Sequence, residues 1–219
     1  MLPRGPRDLH HAGKGDTWIG ALPKAGTAPS GGGIRHALFG DTEHGNRCEL
    51  PLSSHAAGAQ ELFASCGLGA VVEGPADTER RLWLKLAANA VLNPLTALWS
   101  CDNGEVLSRA EGREAAQQVC EEVQAVCQHL AVSNAAIDLS VSDLTGFVHA
   151  CAAANARNFS SMCMDVRNGR RTEIEELNGW IERKSRAITV GQYTLATSKH
   201  WMGKNGELAE AVRKWHPVS

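Results

Sequence analysis

The 219 residues carry 22 lysines and arginines against 24 aspartates and glutamates, a formal net charge of -2, and 43% of them are hydrophobic. That length and composition allow one large or two small globular domains with a core, and the charge balance excludes a polybasic surface for nucleic acid or anionic membrane. No apolar run approaches a membrane span, and the opening MLPRGPRDLHHAGKG lacks the apolar stretch of a signal peptide while Pro3 and Pro6 break any presequence helix, so a cytoplasmic protein is expected.

In chain order, residues 8–20 read as two short strands about a Gly13-Lys14-Gly15-Asp16 turn. His10 and His11 are adjacent and would point to opposite faces of a strand, so no metal site is read there. Residues 23–33 form a loop rich in Gly, Pro, Ser and Thr. Its Gly31-Gly32-Gly33 lacks the preceding strand, following helix and later acidic residue of a dinucleotide fingerprint, which makes it a linker. Residues 53–66 predict an amphipathic helix with Ala56, Ala59, Leu62 and Phe63 on one side, and Ala70, Val71, Val72 and Glu73 a buried strand before Gly74-Pro75. Residues 1–74 therefore read as the tail of an α/β domain. The seven cysteines show no C-x-x-C pair, so reduced thiols are expected, with neither a disulfide framework nor a zinc site.

Residues 81–93 form a strongly apolar helix interrupted by Lys85, Asn89 and Asn93. At positions i, i+4 and i+8 these make one stripe. An unpaired buried lysine or amide costs several kcal/mol by rough reckoning, so the stripe must meet solvent, a polar network or a ligand. A solvated face normally carries several charges, whereas this one has a single cation and two amides. Pro94 follows directly and is expected to kink or stop the helix. The Cys101-Asp102-Asn103-Gly104 turn then brings Asn103 back towards the helix end.

Residues 104–131 predict a helix with Val106, Ala115, Val119, Val123, Val126 and Leu130 inward and the glutamates outward. A long helix over 142–165 follows, with Leu144, Phe147, Val148, Cys151, Ala152 and Met162 as core. Its later half holds Asn155, Asn158, Ser160 and Ser161, which read either as a solvated edge or as the second wall of a pocket facing Lys85. Arg170 and Arg171 read as a solvent-exposed pair. Thr172 and Glu175 have the spacing of a capping box for a helix using Ile174, Leu177, Trp180 and Ile181, with Glu173 beside its N-terminus. Asn205 is expected to cap a short helix over 207–215 with Leu208, Ala211, Val212 and Trp215 on one face.

The run KLAANAVLNPLTALWSCDNGE (85–105) closely resembles the opening of the helical domain of ketopantoate reductases (2-dehydropantoate 2-reductases), and NFSSMCMDVRNGRRTEIEELNG (158–179) resembles that family's later signature. The resemblance covers residues 8–186, weakly before residue 79 and well after it. It implies a mainly α protein: a helical domain of the 6-phosphogluconate-dehydrogenase-like type over 75–200, a truncated Rossmann-type α/β remnant over 1–74, and a divergent tail over 201–219. It implies NADPH-dependent reduction of a small-molecule 2-keto acid, 2-dehydropantoate, with Lys85 catalytic, Asn89, Asn93, Asn103 and Ser161 substrate-binding, and Glu173 cofactor-binding. An ammonium beside the keto oxygen would stabilise the developing alkoxide and hand it a proton.

The family's glycine-rich cofactor turn is absent from the sequence, which leaves open a fragment, a mispredicted gene product or a relic. The competing expectation is a helical dimerisation or interaction module without turnover. The resemblance also allows a homodimer through the helical domain, and a different 2-keto acid as substrate. No metal, nucleic-acid or membrane partner is expected.

Overall fold

A computed structural model describes residues 17–20, 52–66, 70–130, 137–192 and 203–215. The chain divides into two compact units, whose boundary among the described residues lies between Thr78 and Glu79. In the first, strands β1 (Thr17–Gly20) and β2 (Ala70–Glu73) pair in parallel, Thr17 opposite Ala70 and Gly20 opposite Glu73. A parallel pair requires a crossover, and helix α1 (Leu52–Ser65) lies in it and touches both strands. Gln60 fastens α1 to the sheet by donating from Nε2 to the Ala70 carbonyl at 2.9 Å. The second strand of the expected hairpin is thus β1, whose described partner is β2; the first strand, the 23–33 loop, His10, His11 and Cys48 lie outside the described residues. The strand at 70–73 forms but is not buried, Val71 and Val72 being 56% and 38% exposed, because among the described residues it has one strand neighbour.

The second unit is helical, as expected for the chain as a whole. It comprises most of α2 (Pro75–Trp99), then α3 (Asn103–Ser108), α4 (Ala110–Leu130), α5 (Val141–Ala154), α6 (Ser161–Arg167), α7 (Asn178–Gln192) and α8 (Lys204–Trp215). Trp83, Leu86, Ala90 and Val91 of α2 are fully buried, together with Val119, Val123 and Val126 at helical spacing on α4. Leu144 and Val148 of α5, Ile181 of α7 and Leu208, Ala209 and Val212 of α8 complete one cluster, and α4 packs against α3, α5, α7 and α8.

Several expected boundaries move. The helix over 104–131 is two helices broken at Arg109, whose backbone is extended. Asp102 caps the first by accepting from the Glu105 N–H at 3.0 Å, and the second opens so close to it that a Cβ at Gly112 would run into the Val106 carbonyl. The helix over 142–165 is also two, because Asn155 ends α5 and Ser160 caps α6, accepting from the Cys163 N–H at 3.1 Å. Thr172 and Glu175 do not open a helix: residues 173–177 form turns and α7 starts at Asn178. Glu175 instead pairs with Arg213 of α8 and Arg183 of α7, and the Arg213 guanidinium holds its carboxyl below the usual range. Asn205 lies inside α8 and is fully buried, so it does not cap a helix at 207, and Ala209 rather than Ala211 joins the buried face.

Pro94, expected to kink or stop α2, does not stop it; the helix runs on to Trp99. Proline has no N–H, so the Ala90 carbonyl four residues back loses its helical donor. Asn178 replaces it, Nδ2 donating to that carbonyl at 2.9 Å. The helix ends instead at Ser100, held at φ 50, where the Arg167 guanidinium donates to its carbonyl at 3.1 Å and to its hydroxyl at 3.2 Å. A non-glycine residue in that left-handed region is unfavourable without such support.

Candidate active site

The second unit contains a cleft of about 210 Å³. One wall is α2, presenting Lys85, Asn89 and Asn93; the other is formed by Asn103 of α3, Phe147 and Cys151 of α5, and Asn155 and Ser160 of the turn that follows. The predicted stripe descends into it. Lys85 is exposed, Asn89 half-buried and Asn93 only 6% exposed, so one helix face grades from solvent to interior over two turns. Although Lys85 interrupts an apolar helix, it is exposed at the mouth of the cleft.

The far wall is fixed by backbone stitching. Asn103 N–H donates to the Asn158 carbonyl at 2.9 Å and Gly104 N–H to the Ala156 carbonyl at 3.0 Å, joining the start of α3 to the 155–160 turn. A Cβ at Gly104 would sit 2.9 Å from that of Ala156, which explains a glycine there. The Asn103 side chain donates from Nδ2 to the Asn155 carbonyl at 3.2 Å. Its Oδ1 is buried with no donor among the described residues, and a buried acceptor left alone costs about 1–3 kcal/mol unless a ligand or water fills it.

Ser160, rather than Ser161, lines the cleft, and its hydroxyl is already committed. It lies 2.6 Å from Thr96 Oγ1, which itself lies 2.7 Å from the Leu92 carbonyl. With one proton per hydroxyl, Thr96 donates to Leu92 and Ser160 donates to Thr96. Ser161 is exposed and reaches Glu173 Oε1 at 3.5 Å, the same oxygen that accepts from Asn93 Nδ2 at 3.1 Å. Glu173 thus faces Asn93 and Ser161 instead of serving a helix N-terminus.

All six predicted site residues consequently lie in or against one structure: Lys85, Asn89, Asn93 and Asn103 line the cleft, while Glu173 and Ser161 join it through Asn93. Sequence reasoning missed Thr96, a lone threonine in an apolar helix. Phe147 and Cys151, expected in the core, are half-buried: they pack against it and also line the cleft, and burial pushes the Cys151 thiol up. Arg170 and Arg171 are exposed and paired with Asp165 and Glu176.

The family model for "Ketopantoate reductase PanE/ApbA C terminal" matches residues 77–197. A 2-dehydropantoate 2-reductase of Escherichia coli O157:H7 is 44% identical over 106 residues, 48% of this chain and 32% of that protein. One from Vibrio cholerae is 34% identical over 157 residues, 69% of this chain and 48% of that protein. The crystal structure of a PanE/ApbA family ketopantoate reductase from Ralstonia eutropha superimposes with a TM-score of 0.59 at 25% identity, covering 75% of this chain and 49% of that one. The chain spans less than half the length of the two curated relatives.

Proposed function

The chain belongs to the ketopantoate reductase family through its C-terminal domain, and on that premise we propose that its cleft binds a 2-keto acid, 2-dehydropantoate, for reduction by NADPH. The observation that carries this reading is the graded stripe. Lys85 is the one cation among the residues lining the cleft, and below it Asn89 and Asn93 lead to an unfilled acceptor on Asn103.

Lys85 Nζ fits the keto oxygen, because an ammonium favours negative charge as it appears on that atom. Lys85 then gives it a proton, leaving an alcohol and a neutral amine, and its exposure lets solvent restore the proton. Asn89 and Asn93, as amides, donate to carboxylate or keto oxygens, and Asn103 Oδ1 accepts from a substrate hydroxyl. NADPH, when bound, supplies the hydride. Glu173 fits a contact to that cofactor's sugar hydroxyls, since it is an exposed carboxylate beside the cleft with only Oε1 engaged by Asn93 and Ser161 among the described bonds. Ser161 orients Glu173 in this reading as well as facing substrate.

The helical unit as substrate domain, a homodimer formed through it, and a cytoplasmic location belong to the same proposal. No helix among the described residues is long and apolar enough to cross a membrane, and the cysteines described are free.

Titration of the chain with 2-dehydropantoate and with NADPH, followed by tryptophan fluorescence and calorimetry, tests this reading. Saturable binding of the keto acid is expected. A folded chain that binds neither compound refutes the enzyme reading and leaves the helical interaction module in its place.

A further inference from the structure

The cleft helix is secured from behind by a buried polar chain that the stripe does not reveal. Asn178 of α7, fully buried, spends both hydrogens of its amide: one on the Ala90 carbonyl freed by Pro94, at 2.9 Å, the other on Asn205 Oδ1 of α8 at 2.8 Å. Asn205, also fully buried, donates from Nδ2 to Glu122 Oε2 of α4 at 2.8 Å, and its backbone N–H points at the same carboxylate at 3.3 Å. A Cβ at Gly203 would come 2.7 Å from that carboxylate, so the chain reaches the relay only through a glycine. Four helices thereby share one run of bonds ending on a carbonyl adjacent in sequence to Asn89 and one turn from Asn93.

We propose that Asn178, held by Asn205 and Glu122, is a positioning residue that replaces the backbone donor lost at Pro94 and so keeps Asn89 and Asn93 in register in the cleft. An amide with both hydrogens committed has one orientation, and its partners fix which carbonyl it serves. Without it, the Ala90 carbonyl is buried with no donor in mid-helix, where a proline helix bends most readily. The local effect on α2 does not depend on what occupies the cleft; the consequence for binding rests on the 2-keto acid reading.

The test is a rescue. In Asn178→Ala, hydrogen exchange of peptides covering residues 89–98 should accelerate by about tenfold or more relative to peptides from α4. Pro94→Ala restores a backbone N–H opposite the Ala90 carbonyl. It should be near silent alone, and in the double variant should return exchange to within about threefold of wild type. Affinity for 2-dehydropantoate should fall in Asn178→Ala and recover in the double variant. If Asn178→Ala fails to fold while the double variant folds, that is the same rescue. Uniform acceleration through α2 and α4, or a double variant no better than the single, overturns the proposal, because Asn178 would then matter only as core packing. Asn205→Ala, which keeps Asn178 but frees its amide, should reproduce the local pattern more weakly; unchanged exchange over 89–98 would also count against it. Normal rescue of exchange in a protein that never binds the keto acid would remove the functional reading and leave the helix-register role standing.

Discussion

Helix α2 serves two polar clusters that differ in how they are satisfied. Behind it, the Asn178–Asn205–Glu122 relay is nine-tenths or more buried, and both Asn178 amide hydrogens and one of Asn205 meet carbonyl or carboxylate oxygens within the fold. Asn178 Oδ1 is the atom there without a donor among the described residues. In front, Lys85 makes no hydrogen bond or ion pair with a described residue and lies exposed at the cleft, whose wall includes Asn103 with a buried Oδ1 that has no donor among the described residues. Buried polar groups that close on one another specify structure; an exposed cation beside a cavity, with an unmatched acceptor in the wall behind it, is available for a ligand.

The sharpest way to break this contrast is to turn one relay donor into an acceptor. Asn178→Asp sets a carboxylate against the Ala90 carbonyl and Asn205 Oδ1, and with no donor on either side the fold should lose about 3–5 kcal/mol in urea unfolding. A loss below about 1 kcal/mol would mean that the relay is not a closed structural cluster.

Glu122 gives the next effect. Burial pushes its carboxyl up from the ordinary 4.5 and outweighs the Asn205 bonds that pull it down. The folded state therefore holds this proton more tightly than the unfolded chain does. That contribution is complete below about 4.5 and is lost as pH rises through the folded value. Glu122→Gln should remove that segment of the stability–pH curve, a slope of at most about 1.4 kcal/mol per pH unit. Superimposable slopes for the two proteins would show that Glu122 titrates normally.

How much of this was legible in the sequence depends on the range of the contacts. The Lys85-Asn89-Asn93 stripe could be read because helical spacing alone puts those residues on one face. Its grading from exposed to buried could not, since that depends on where Asn103 and the 155–160 turn come to lie. Glu122 was expected on the outward face of its helix, yet it is buried because Asn205, 83 residues away, brings it donors. Pro94 was expected to kink or stop a helix that Asn178, 84 positions further on in the numbering, helps to carry past it. Ala156 and Phe159 keep an apolar residue at helical spacing through 155–160, so periodicity hid a break that the caps at Asn155 and Ser160 make. Local chemistry was readable; satisfaction from a distance was not.

Smaller effects belong to the buried hydroxyl pair of Thr96 and the cleft residue Ser160. Thr96→Val keeps the shape and removes the acceptor for Ser160, which still caps Cys163, so about 1 kcal/mol should be lost in urea unfolding. No change would show that Ser160 finds another acceptor.

Lys85→Ala should have the smallest effect on the fold and the most selective effect on binding. The side chain is exposed and outside the buried cluster, so stability should stay within about 0.5 kcal/mol of wild type. If the ammonium meets the keto acid, removing that charged contact should weaken 2-dehydropantoate binding by about tenfold to a hundredfold, measured by calorimetry. Lys85→Arg tests geometry rather than charge, because a planar guanidinium cannot present the single compact donor that the rim position offers. An alanine variant that binds as tightly as wild type would show that the stripe's cation, for all its placement, is only a solvated side chain.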